Sequence, residues 1–282
     1  MANARVRIVT DSASDLSIDE VSEYGVEVVP LTIRFGEREF TDGRDLTPEQ
    51  FYAEMASSTV LPETAAPAPG LFEEAYKKLT GEGASAIVCI NLSAQLSATI
   101  QSAESAAMAV AGDIDVQVID SRSITGGLGL IVLEAAKAAE AGRSADEVLE
   151  LVRELSTRVK VYGGLDTLDN LRKGGRIGGA QAMLGSMLSI KPVIDISSGK
   201  VEEAAKPRTR RKALQWIRDK TLSWGEVEHL SVLSGLAPDH DDLVDMFCPP
   251  RRREDIRQGV IGPVIGAHGG PRVIGTAFLA PA

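Results

Sequence analysis

Residues 91–103, NLSAQLSATIQSA, decide how this chain is read. The five residues before them, AIVCI, form an apolar, partly β-branched run suited to a buried strand. Residues 98–111, ATIQSAESAAMAVA, are rich in alanine and other helix formers. Ser93 and Ser97 stand between the two. Ser97 is placed to cap the helix, accepting from an orphan amide of the first turn. A strand end that runs into a helix N-terminus gathers unpaired N–H groups and the positive end of the helix dipole, which suits a carboxylate or a phosphate. An ordinary helix cap accounts for the same residues.

The chain has 282 residues, enough for one or two domains. Its net charge of −10 argues against bulk binding to nucleic acid or an anionic membrane. The two cysteines, Cys89 and Cys248, make no disulfide framework, and Cys89 lies in the apolar run as a small buried hydrophobe. No run approaches about 18 apolar residues, so no membrane span is expected. MANARVRIVTDS leads straight into a strand rather than a signal, so the expected compartment is the cytoplasm.

Read in order, residues 5–10 form a strand ending in the acceptor cluster Asp11, Ser12, Ser14 and Asp15. Ser17 with Glu20, Thr47 with Gln50, and Ser144 with Glu147 read as capping boxes, the second with Pro48 at the first helical position. Residues 26–34, VEVVPLTIR, read as one extended run in which Pro30 marks an edge or bulge. Residues 61–70, LPETAAPAPG, read as a loop before an amphipathic helix. DVQVID at 115–120 is a further strand, and GGLGLIVLEAAKAAEAG a further helix. This alternation predicts an α/β fold with a mainly parallel sheet flanked by helices, and ligands beyond the carboxyl ends of its strands. Asp11, Ser12, Ser93, Ser97, Asp120 and Ser121 map to such ends.

The texture changes near residue 160, which predicts two α/β domains, 1–160 and 161–282. In the second, VKVYGG, KPVIDI, GKVEEAAK and EHLSVLSGL read as strands. LDTLDNLRKGGRIGG is a polar helix broken by glycine pairs. Met183, Leu184, Met187 and Leu188 fall at helical spacing, as core or as the wall of a flexible apolar ligand. KPRTRRK at 206–212 carries five basic residues in seven and reads as a solvated helix start or an anion-facing patch. Arg251, Arg252 and Arg253 read as a solvated loop. Arg176 sits between glycine pairs that let backbone approach closely. His268, in GAHGGP, is a candidate ligand contact. Dinucleotide and phosphate-loop glycine motifs, the GxSxG nucleophile elbow and metal-ligand spacings are all missing.

Eight segments in the same order resemble the DegV family: TDSASDL at 10–16, VVPLTI at 28–33, LSAT at 96–99, IDS at 119–121, LRKGGRI at 171–177, IKPV at 190–193, KPRTRRKA at 206–213 and GPVIGAHGGP at 262–271. The resemblance implies a FakB-like bacterial fatty-acid-binding protein of two α/β domains, with one acyl chain enclosed between them. It implies no catalytic activity of its own, no cofactor beyond the bound fatty acid, and no metal. The implied partners are a long-chain fatty acid and a FakA-like fatty acid kinase that makes acyl-phosphate, with transient membrane contact, no nucleic acid, and the chain acting as a monomer. Carried over by motif, Thr64 and Ser97 would bond the carboxylate, with His268 and Ser93 nearby. Arg176 and Arg208 would lie on the phosphotransfer side, towards the kinase. Ala65 and Ala66 stand where the family has Ser and Gln, Ala98 where it has Gly, and Arg272 where it often has Gly. The residues alone leave two other readings: a serine hydrolase or acyltransferase using Ser97, His268 and Asp11 or Asp120, and a binder of another anionic lipid or small metabolite.

Overall fold

The computed structural model describes residues 5–184 and 190–282. Strand β1 (Val6–Asp11) ends in a 3-10 turn over Ser12–Ser14. Helix α1 (Ile18–Tyr24) begins at the Ser17/Glu20 capping box and stops at Gly25 in the left-handed conformation. The run 26–34 is not one strand. It divides at Pro30 and Leu31 into β2 (Glu27–Val29) and β3 (Thr32–Phe35), which belong to different sheets. Proline has no N–H for the ladder, so the break falls where one sheet can hand the chain to another. Strand β4 (Arg38–Thr41) returns along β3, and helix α2 (Pro48–Ser57) starts at the Thr47/Gln50 box. The segment read as a proline-rich loop contains a short strand, β5 (Glu63–Ala65), paired antiparallel to β3.

Helix α3 (Pro69–Gly81), β6 (Ala86–Asn91), α4 (Thr99–Val110) and β7 (Asp115–Asp120) continue the alternation. The parallel sheet has the order β2-β1-β6-β7. Helices α5 (Thr125–Glu140) and α6 (Ala145–Arg158) follow, α6 opening on the Ser144/Glu147 box. Strand β8 (Val159–Gly164) then enters a second sheet. With α7 (Asp169–Lys173), β9 (Val193–Asp195), β10 (Glu202–Ala205), α8 (Arg210–Leu222), β11 (Glu228–Ser234), α9 (His240–Asp245), β12 (Arg257–Val260), α10 (Pro263–Gly269) and β13 (Ile274–Leu279), the chain completes the order β10-β9-β8-β13-β11-β12. That sheet is antiparallel except for the β11–β12 pair.

Strand alternation distributes the core. In β6, Ile87 and Cys89 face Phe72, Tyr76 and Leu79 of α3, while Val88 and Ile90 face the interior that α5 and α6 share. In the second sheet Tyr162, Ile274 and Phe278 pack on Leu214 and Ile217 of α8, while Val161, Ile194, Leu233 and Ala277 face the same interior as α5. The first turns of helix α5, Thr125–Leu133, are therefore buried between the two sheets, which explains why they carry no charge, while Glu134, Lys137 and Glu140 mark a face that reaches solvent further on. The 3-10 turn Gly178–Met183 buries Met183 and leaves Leu184 exposed; Met187 and Leu188 lie outside the described residues.

The glycines that open α5 set how closely it packs. A Cβ placed on Gly129 would stand 2.6 Å from the Ser14 carbonyl oxygen, backbone that cannot swing aside. Gly129→Ala gains up to about 1 kcal/mol of helix propensity but incurs an overpacking cost of about 1–3 kcal/mol. Denaturant unfolding should show a net loss of stability; a neutral or stabilised variant would contradict this packing.

Candidate functional site

The site is a cavity with about 1070 Å³ of empty space, its open mouth included. Its wall is mainly aliphatic: Leu92, Ile124, Val161, Ile194, Leu233 and Val264 are among the lining side chains. Thr64, Ser97, Arg176 and His268 give it a polar region, and Thr125 and Thr276 also reach the lining.

Each arrives on a different element. Thr64 is the middle residue of β5, held opposite Ile33. His268 lies in α10, which starts with Pro263 and ends at Gly270 with φ +80. Thr64 Oγ1 and His268 Nε2 hydrogen-bond at 2.8 Å across 204 residues of chain. The other ring nitrogen, Nδ1, is buried without a hydrogen-bond partner among the described residues. Burial and the nearby Arg176 guanidinium push the imidazole down to about 4, so the ring is neutral at physiological pH. The glycine pair before Arg176 lets backbone meet this ring, since a Cβ on Gly174 would stand 2.5 Å from His268 Nδ1. Arg176 itself is held by Nε donating to the Leu96 carbonyl at 3.1 Å and Nη1 donating to the Gly174 carbonyl at 2.7 Å.

Ser97 Oγ accepts from a first-turn amide of α4 as expected, the Thr99 N–H at 3.3 Å, but the N-cap position itself is Ala98. Ser97 also shares a 2.9 Å hydroxyl–hydroxyl bond with Thr99. Ala98 has φ −81, so the turn makes no demand for a left-handed residue there. Arg272, by contrast, does adopt φ +60. The loop carrying Ser97 is fixed by Asp11, whose Oδ2 accepts from Leu92 N at 2.8 Å and Asn91 Nδ2 at 3.1 Å. Burial pushes that carboxyl up to about 6, against these hydrogen bonds.

The remaining candidates lie elsewhere. Ser93 is fully buried outside the cavity lining and donates to the Gly199 carbonyl at 2.6 Å, tying the loop after β6 to the turn before β10. Arg208 is exposed, two residues before α8 and outside the lining. Asp120 accepts from the backbone of Ala94 and Arg122, Ser12 from Leu31 N, and Ser121 from Ser123 N. Within KPRTRRK, Arg210 is not simply solvated: it grips Asp239 through Nε at 2.8 Å and Nη2 at 3.0 Å. Arg252 likewise pairs with Asp255, and Arg253 with Asp241 and Asp245. Among the described residues no group of His, Cys, Asp and Glu is arranged to hold a metal ion, and no helix is long and apolar enough to cross a membrane.

Sequence reasoning missed Thr125, which lines the cavity at the start of α5 with φ +47. Its hydroxyl donates to Asp15 Oδ2 at 2.6 Å, and Asp15 Oδ1 accepts from Gly262 N at 3.0 Å. Burial pushes the Asp15 carboxyl up to about 7. No local motif marks Thr125, because its partner Asp15 lies 110 residues before it, and the Gly262 amide that Asp15 also accepts lies beyond β12.

The sequence model of a family described as uncharacterised proteins of the DegV family matches residues 5–281. A DegV domain-containing protein of Listeria innocua is 36% identical over 273 residues, covering 94% of this chain and 95% of that protein. Among solved structures, a DegV family protein of Thermus thermophilus described for its fatty acid binding superposes with a TM-score of 0.90 at 32% identity, covering 98% of this chain and all of the other. DegV of Bacillus subtilis, described as a fatty acid binding protein, gives 0.88 at 26% identity, covering 99% of this chain and all of the other.

The state of His268 is open to measurement. A histidine held below its ordinary value of 6.5 takes up its proton first in the unfolded chain, so its effect is a loss of stability as the pH falls from about 6.5 to about 4. Nuclear magnetic resonance of the ligand-free protein should find the ring neutral at pH 6 with a midpoint near 4. A midpoint near 6.5 would mean that the ring is hydrated.

Proposed function

The chain belongs to the DegV family, and from that premise we propose that it binds a long-chain fatty acid in this cavity and presents the carboxylate to a fatty acid kinase. The observation that carries the reading is the meeting of Thr64, Ser97, Arg176 and His268 at a mainly aliphatic cavity. An acyl chain gains about 0.8 kcal/mol for each methylene removed from water, which rewards a long apolar wall and needs few polar anchors. Two hydroxyls can donate to a carboxylate, and a guanidinium offsets its charge without titrating. A neutral imidazole adds a hydrogen-bonding group without adding a second fixed charge. The fatty-acid-binding descriptions of the Thermus and Bacillus proteins support the ligand class, since the likeness runs over almost the whole of each chain.

In this reading Thr64 and Ser97 bond the carboxylate, His268 orders Thr64, and Arg176 offsets charge as a phosphoryl group approaches. Arg208, exposed before α8, contacts the kinase. The two domains are 1–160 and 161–282, with the ligand enclosed between them; lining residues come from both segments. The chain serves as a cytoplasmic carrier rather than as an enzyme. A serine hydrolase needs its nucleophile hydrogen-bonded to a base, whereas Ser97 pairs with Thr99 and His268 with Thr64.

Two substitutions separate the roles. Ser97→Ala should weaken fatty acid binding by about 1–3 kcal/mol, the usual cost of losing a hydrogen bond to a charged group, as read by competition against a fluorescent fatty acid. Unchanged affinity would place the carboxylate elsewhere. Arg208→Ala should leave that affinity in place and slow acyl-phosphate formation by the kinase. A collapse of lipid binding would remove Arg208 from the presenting surface.

A further inference from the structure

Strands β8 and β13 form one wall of the cavity, and their register sets Gly163 opposite Gly275 and Val161 opposite Ala277. All four line the cavity. Residues two apart on a strand share a face and are spaced by about 7 Å, so the wall is built in rungs. Leu165, beyond the end of β8, leads towards the segment that carries Arg176, and β13 is entered from the helix that carries His268. The first paired rung next to the polar region is therefore glycine on both strands. The next rung, Val161 and Ala277, carries side chains.

The two glycines are there for different reasons. On Gly275 a Cβ would stand 2.1 Å from the Tyr162 carbonyl oxygen, so the backbone excludes every other residue. Gly163 is under no such demand. Its φ is outside the left-handed region, and a Cβ there would meet only the Ile194 side chain within 4 Å, at 3.4 and 3.7 Å. Those are ordinary contact distances. Glycine weakens a strand interior and commonly marks the close approach of another group. Here no protein group makes that approach among the described residues, and the space left by the missing side chain belongs to the cavity.

We propose that Gly163 is a chain-length determinant: its missing side chain opens the passage through which an acyl tail leaves the head-group region for the deeper rung at Val161 and Ala277. The inference rests on the fatty acid reading of the cavity. A tail bound to the unsubstituted protein crosses the glycine rung. With a branched side chain there, the tail ends above it or must bend, and long chains lose more than short ones.

The test is the ratio of affinities for octadecanoate and dodecanoate, measured by displacement of a fluorescent fatty acid, in the unsubstituted protein, Gly163→Ala and Gly163→Val. Valine favours a strand, and circular dichroism with thermal unfolding checks that each variant folds. Gly163→Val should lower the long-to-short ratio at least about tenfold, equivalent to about two methylenes returned to water. Gly163→Ala should move it in the same direction by less. A ratio that stays constant in the folded variants, whether both acids bind as before or both weaken equally, overturns the inference. If the unsubstituted protein takes up neither acid, the ligand reading itself fails, and that result is distinct from an unchanged ratio.

Discussion

A polar group inside an apolar cavity has to be paired, or it costs more than the cavity gains. The Thr64–His268 hydrogen bond meets that constraint for the hydroxyl and for the Nε2 side of the ring, and much of the architecture exists to bring its two ends together. One end rides on a three-stranded sheet early in the chain, the other on a short helix near the end of the sequence. Burial and the neighbouring Arg176 guanidinium keep the imidazole neutral, so among the described residues of the polar region the positive charge is that of Arg176. An anion entering there meets one fixed charge and several dipolar groups. Such a set can hold a carboxylate without locking it into an ion pair too strong to react.

The cavity depends equally on what lies between the sheets. The first turns of helix α5 are uncharged because both sheets close on them, and they carry glycine because side chains of Leu233 and Val161 and the Ser14 carbonyl stand where a Cβ would be. Its first residue, Thr125, sits in a left-handed conformation and is anchored by Asp15, which also accepts the Gly262 amide ahead of α10. One buried carboxyl thus joins the start of the central helix to the segment that delivers His268.

The sequence was most legible where the signal is local. The three capping boxes, the strand ends at Asp11 and Asp120 and the parallel alternation all follow from spacing within a few residues. It was least legible where an outcome depends on partners far along the chain. Nothing in VEVVPLTIR says that its halves join different sheets, and nothing in LPETAAPAPG says that Thr64 will be clamped in a strand beside β3. Ser93 and Ser97 looked alike as hydroxyls at a strand end. One is consumed by the Gly199 carbonyl, and only the other faces the cavity. Arg210 and Arg208 sit in one basic run, yet Arg210 is committed to Asp239, a contact no local pattern announces.

The account turns on what occupies the cavity. Native mass spectrometry of the protein as purified from cells, followed by denaturing lipid extraction, addresses it most directly. The account predicts a mass excess equal to one long-chain fatty acid per chain, released on denaturation. A bare protein that also refuses added fatty acids would contradict it.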